Sequence, residues 1–244
     1  MITWSFLVLD EVDSTQSVAK RLGVEGSPEG MVVVAKRQSA GRGRLGRHWV
    51  SPEGGLYMSI LLRPPDSAQA QTLTLLAAMA VVHGTKEATG LKTLIRWPND
   101  VVVDGKKISG VIAESSFSGE RMSFVVVGIG VNCNTKISSA KIEGNKATSL
   151  SEELGIAFDI PRVRQSILSK FGGLYEEWNQ GVDVVERARG LVGTVGKRVE
   201  VRMMSGERIE GTAIELTETG GLLVTHGERR TTLRPEDIEL LRES

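Results

Sequence analysis

The chain has 244 residues, 40% hydrophobic and 25% charged, enough to bury a core as one large domain or a medium one with a small appendage. Thirty basic residues cancel thirty acidic ones, which excludes recruitment to nucleic acid or membrane by overall charge. The single cysteine, Cys133, excludes an internal disulfide, and three scattered histidines (His48, His83, His226) argue against a zinc site or a Ser-His-Asp triad.

The opening residues MITWSFLVLDEVD lack the basic start and small-residue cleavage site of a secretory signal. The longest apolar run, LTLLAAMAVV, falls short of the ~20 residues that span a bilayer. A cytoplasmic protein with no membrane partner is therefore expected. SFLVLDEV reads as a first strand, and DSTQSVAKRLG as a short helix capped by Ser14 or Thr15 and ended by Gly23. MVVVAK is a β-branched run suited to a buried strand. In LYMSILLR, Leu56, Met58, Ile60 and Leu62 alternate as in a half-buried one. Helical spacing over Asp66 to Thr89, closed by Gly90, predicts a long helix. LIRW, VVVDGKKI, SGVIAES and SFVVVGIGVN follow as strands, with Asp104-Gly105 a hairpin turn. Val163, Ile167, Phe171, Leu174 and Trp178 predict a helix from Pro161 to Trp178.

Paired strands separated by long helices predict an α+β fold with a mixed or antiparallel sheet. Near Gly190 the composition changes to short strands broken by Ser205-Gly206, Gly220-Gly221 and Gly227. Residues 1–190 are thus expected to form one larger domain and 191–244 a small barrel-like β unit packed on it.

Local charge is far from neutral. From Gly30 to Pro52 there is no acid, while Lys36, Arg37, Arg42, Arg44 and Arg47 crowd the segment containing AGRGRLGRHW. Gly41, Gly43 and Gly46 match G-x-G-x-x-G, but a turn and a strand follow rather than a helix, so this is no dinucleotide fingerprint. No Walker A loop occurs. A loop remains whose glycines allow close backbone approach and whose arginines offer forked donors to phosphate or carboxylate. A solvated basic loop explains the segment equally well when it is taken alone.

Four further motifs accompany it: DSTQ ahead, then RWPND (Arg96 to Asp100), KKISGVIAE (Lys106 to Glu114) and GIGVN (Gly128 to Asn132). In this order, and over nearly the whole chain, they resemble the biotin protein ligase family, whose GRGRxGRxW signature the loop matches. The resemblance implies a class II aminoacyl-tRNA synthetase-like catalytic domain followed by an SH3-like barrel. It implies synthesis of biotinyl-5′-AMP from biotin and ATP with Mg²⁺, then transfer of biotin to a lysine of a biotin carboxyl carrier protein. By the same resemblance, Ser14, Thr15, Gln16, Gln38, Arg42, Gly43, Arg44 and Lys107 bind biotin. Arg47, Trp49, Asn99, Asp100 and Asn132 lie on the ATP side, Arg44 and Lys107 act in catalysis, and Asp100 helps hold Mg²⁺. The glycine-arginine loop is expected to act as a lid. Family members often pair through sheet surfaces, so a homodimer is implied.

One departure is Arg96, where the family has lysine. Some members carry an N-terminal helix-turn-helix module; ten residues before Glu11 are too few for one, so no DNA partner is expected. The competing expectations are a lipoate or octanoate ligase of the same fold and a non-catalytic biotin sensor. Retention of both Arg44 and Lys107 argues against the sensor.

Overall fold

The β-branched and aliphatic runs assemble into one mixed sheet of seven strands in the computed structural model, which describes residues 2–65, 70–137 and 146–243. The strands are β1 (Ser5–Val12), β2 (Met31–Gln38), β3 (Leu56–Leu62), β4 (Leu94–Arg96), β5 (Asp100–Val103), β6 (Lys106–Ser118) and β7 (Arg121–Val131). Their spatial order is β1-β2-β3-β7-β6-β5-β4, with β1 and β2 parallel and every other pair antiparallel. Asp104 (φ 46°) and Gly105 (φ 73°) make the tight turn between β5 and β6, as Asp-Gly predicts.

Helix α1 (Thr15–Val24) joins β1 to β2, while α2 (Leu73–Thr89) and α4 (Ile160–Asn179) cover the opposite face. Gly90, at φ 78°, closes α2 in the left-handed conformation, and Pro161 stands in the first turn of α4. The expected start of α2 at Asp66 lies outside the described residues; a 3₁₀ turn over Ala70–Thr72 precedes the helix.

Three expectations need correction. Strand β3 is buried at all seven positions, not half-buried. Met58, Ile60 and Leu62 join the core under α2 and α4, and Leu61 packs with Val18 and Ala19 of α1, so both faces are covered. Gly23 does not end α1; the helix runs to Val24, with the Phe124 ring 2.8 Å from where a Cβ on Gly23 would stand. SGVIAES is not a separate strand but the continuation of β6. The five-residue helices α3 (Leu150–Leu154) and α5 (Val184–Ala188) are too short to show helical periodicity and were not expected.

The C-terminal strands β8 (Arg198–Met203), β9 (Arg208–Leu216), β10 (Leu222–His226), β11 (Arg229–Leu233) and β12 (Ile238–Glu243) form a second, antiparallel sheet ordered β11-β10-β9-β8-β12. Its buried Val199, Val201, Ala213, Leu222 and Val224 are continuous with the core of the first sheet. Trp97 ties the two together, its Nε1–H donating to Gly220 O at 2.9 Å and its backbone N–H to Thr194 Oγ1 at 2.9 Å. Among the described residues, no helix is long and apolar enough to cross a membrane.

Candidate active site

All thirteen residues singled out from the sequence line one cavity of about 240 Å³ at the end of the first sheet. The glycine-arginine segment forms a two-stranded ribbon there. Gly43 N–H donates to Arg47 O at 2.7 Å, Trp49 N–H donates to Gly41 O at 2.9 Å, and Arg42 bridges to His48. Leu45 (φ 55°) and Gly46 (φ 73°) make its tip. Gly41 is required by contact: a Cβ there would stand 2.4 Å from Trp49 O and 2.5 Å from Ser51 Oγ. A second cavity, of about 620 Å³, lies across the ribbon, between its tip, the start of α2 and the C-terminal unit.

At the floor of the first cavity, Ser14 precedes α1 in extended conformation, but its side chain makes no cap bond. The hydroxyl is buried without a partner among the described residues. Thr15 N–H donates to Gln38 Oε1 at 2.8 Å, and Gln38 Nε2 donates to Ser51 Oγ at 2.8 Å. Gln16 is 2% exposed and bonded at both ends of its amide: Nε2 donates to Glu114 Oε2 and Val126 O, and Oε1 accepts from Ser59 Oγ. Its amide is therefore committed to the protein, contrary to the expectation that Gln16 reads the ligand directly. Gly128 makes room for it, since a Cβ there would stand 2.6 Å from Gln16 Oε1.

The charged wall is built from the turn after β4 and the start of β6. Asp100 accepts from Arg96 Nη2 at 2.9 Å through one oxygen and from Lys107 Nζ at 2.5 Å through the other. Burial alone would raise the Asp100 pKa, but Lys107 and Arg96 outweigh it and hold the carboxyl below its ordinary value. Arg96, in the place of the family's lysine, is thus an ion-pairing strand residue. Lys107 Nζ also lies 5.0 Å from the centroid of the Trp49 ring. That ring lies against Gly110 and Gly130, register partners on β6 and β7; a Cβ on Gly130 would come within 2.6 Å of it. The indole N–H is buried without a partner among the described residues.

Arg44 reaches the other way. Its guanidinium donates to Asn99 Oδ1 at 3.3 Å, Pro235 O at 2.5 Å and Ile238 O at 3.2 Å, and Arg47 donates to Glu239 O at 3.1 Å. The ribbon arginines thus rest on the C-terminal unit. Burial lowers the pKa of Arg44, Asp100 opposes that, and Arg47 adds to it. All three of these hydrogen-bond acceptors are neutral, so the site holds a desolvated cation suited to an anionic ligand. Asn99 donates from Nδ2 to Val111 O at 2.9 Å, and Asn132 donates to Thr148 O at 3.0 Å.

The described side chains do not form a magnesium site. Both oxygens of Asp100 are already paired with cations, which corrects the expectation that it ligates Mg²⁺. No cluster of three His, Cys, Asp or Glu suited to a metal exists among the described residues.

Comparison with known proteins places this geometry. A profile described as the biotin/lipoate A/B protein ligase family matches residues 8–132, from β1 through the end of β7. The chain belongs to that family. It is 38% identical over 236 residues to the bifunctional ligase/repressor BirA of Bacillus subtilis, covering 95% of this chain and 72% of that protein. It is 35% identical over 183 residues to the biotin--[acetyl-CoA-carboxylase] ligase of Paracoccus denitrificans, covering 72% of this chain and 73% of that one. Among solved structures, the biotin protein ligase from Aquifex aeolicus in complex with biotin and ATP superposes with a TM-score of 0.83 at 31% identity, covering 98% and 99% of the two chains. The α+β fold with a second antiparallel sheet is the fold of that ligase.

Sequence reasoning missed Ser59, Glu114 and the carbonyls of Pro235, Ile238 and Glu239. Ser59 had a signal: it is the only hydroxyl-bearing aliphatic residue in an otherwise apolar strand. Glu114 lay inside a motif but had no assigned role. Backbone acceptors leave no mark on a sequence.

Proposed function

We propose that the protein is an ATP-dependent biotin protein ligase with two half-reactions. The biotin carboxylate attacks the α-phosphorus of ATP, the P–O bond to pyrophosphate breaks, and biotinyl-5′-AMP forms. A lysine ε-amine of a biotin carboxyl carrier domain then attacks the acyl carbon, AMP leaves with the bonding electrons, and the amine loses a proton. In the first step two anions must meet. The observation that carries the reading is the pair of cations on one cavity, Lys107 and the half-buried Arg44, which lower that repulsion and stabilise charge on the phosphorus oxygens. Arg44 exchanges neutral carbonyl acceptors for phosphate or carboxylate oxygens, a stronger class of hydrogen bond.

In this reading Ser14, Thr15 and Gln38 face the ureido ring, with Gln16 behind them. Arg42, Gly43 and Arg44 lie over the valerate, Lys107 meets its carboxylate, and Arg47, Trp49, Asn99, Asp100 and Asn132 border the nucleotide. Residues 1–190 act as the catalytic unit and 191–244 as a support for the ribbon. Mg²⁺ arrives on the nucleotide rather than on Asp100. The reading is supported by family membership and by the names of the relatives and the biotin- and ATP-bound neighbour.

The test is to incubate the protein with ATP, Mg²⁺, biotin and a carrier domain, with lipoate in a parallel reaction, and weigh the carrier. A mass gain of one biotin is expected; a gain with lipoate alone would overturn the assignment. Lys107→Ala is expected to lower biotin-dependent ATP–pyrophosphate exchange by two or more orders of magnitude while the far-UV spectrum is unchanged.

A further inference from the structure

Strand β12 lines the first cavity and pairs with β8 in a register that slips between Ile238 and Leu240. Ile238 lies opposite Met203 and Leu240 opposite Arg202, so Glu239 is an extra residue with no counterpart on β8. A bulge of this kind re-aims a side chain and is common beside active sites. Here the Glu239 carboxylate meets Arg202, whose Nη2 donates to Oε1 at 2.7 Å. The Arg202 Nε–H is buried without a partner among the described residues, so Glu239 is what holds this guanidinium.

Glu239 and Arg47 both line the cavity, whereas Arg202 stands behind them. Arg47 Nη2 donates to the Glu239 carbonyl at 3.1 Å but lies 3.9 Å from the carboxylate, too far for a hydrogen bond. One carboxylate thus has two arginines within reach and is bonded to the one outside the cavity. The consequence is electrostatic. An unpaired carboxylate at this wall would repel a polyphosphate and draw the Arg47 guanidinium onto itself. Paired with Arg202 it does neither, and the charged donors of Arg47 stay available to an anion.

We propose that Arg202 is a positioning residue for the nucleotide: by neutralising Glu239 it leaves Arg47 free to bind the triphosphate of ATP. The inference rests on the ATP-dependent reading, in which Arg47 borders the nucleotide. Arg202 acts through Glu239 and Arg47 without touching the ligand. The Arg202 and Glu239 side chains are 43% and 38% exposed, so the effect is graded and weakens with salt.

The test measures the KM for ATP in biotin-dependent ATP–pyrophosphate exchange at low ionic strength. In Arg202→Met, which keeps the alkyl stem and loses the charge, that KM is expected to rise about fivefold, with kcat within about twofold. Inhibition by added pyrophosphate should weaken similarly, inhibition by AMP less, and the difference from wild type should shrink at high salt. The deciding arm is a second substitution. Adding Glu239→Gln to Arg202→Met should bring the KM for ATP back to near the wild-type value, because no carboxylate then needs neutralising. A double variant no better than Arg202→Met would overturn the proposal, since that is what a purely structural role for the pair gives. If Arg202→Met does not fold, Glu239→Gln alone decides: the KM for ATP should fall, and a rise or no change would count against the mechanism. A wild-type protein that shows no biotin-dependent exchange with ATP would instead overturn the functional reading on which it rests.

Discussion

Asp100 shows how a single carboxylate fixes the charged wall. It is half-buried between Arg96 and Lys107, and removing its charge leaves two cations partly desolvated. Asp100→Asn is expected to destabilise the fold by about 3 kcal/mol, measured by urea denaturation. The folded pKa of Asp100 lies below its ordinary value of 3.8. Its stabilising contribution is therefore fully present above that pH and is lost as pH falls through the lower folded value. Stability should accordingly be flat from pH 8 to pH 5 as far as this group is concerned, with Asp100→Asn removing part of the acid-side decline. Cys133 is the opposite case: 0% exposed, its thiol is pushed up to about 12 by burial. It should resist iodoacetamide in the folded protein at pH 8 and react at once in guanidinium, as mass spectrometry would show.

At the scale of elements, the ribbon between β2 and β3 works because neighbouring strands give way to it. Gly110 and Gly130 lie opposite each other on β6 and β7 and leave a flat seat for the Trp49 ring. A methyl on Gly130 would stand 2.6 Å from that ring. Gly130→Ala should displace the indole, shift its fluorescence to the red, and raise the KM for ATP about tenfold while leaving the thermal midpoint within a few degrees. An unchanged emission spectrum would show that the ring does not depend on this seat. The ribbon's fold was not legible in its letters: glycines and arginines announce flexibility and charge. The antiparallel pairing, the left-handed tip and the Gly41 contact emerge only when β2 and β3 bring its ends together.

At the scale of the whole molecule, the C-terminal sheet and the first sheet share one core and are linked at the site itself, through Trp97 to Gly220 and through Arg44 to Pro235 and Ile238. Trp97→Phe removes the indole donor and part of a buried ring, leaving Gly220 O without its partner and a cavity beside it. A loss of about 2 kcal/mol is expected, in a single unfolding transition followed in parallel by fluorescence and circular dichroism. Separate transitions for the two units would contradict the shared core.

By itself the sequence determined the α+β class, most strand and helix spans, the Asp104-Gly105 hairpin, the change of character near Gly190, and the residues that meet at the cavity. These are carried by periodicity, turn chemistry and motif order, all local or nearly so. Tertiary structure alone decided that β3 is covered on both faces and that Gln16 is spent on its neighbours. It also decided that Asp100 serves Lys107 and Arg96 rather than a metal, and that the ribbon's arginines lean on backbone carbonyls about two hundred residues away. Each of these depends on which groups face one another after the chain has closed. Hydrogen bonds and ion pairs are satisfied by whatever partner is nearest in space, and a sequence orders residues only along the chain.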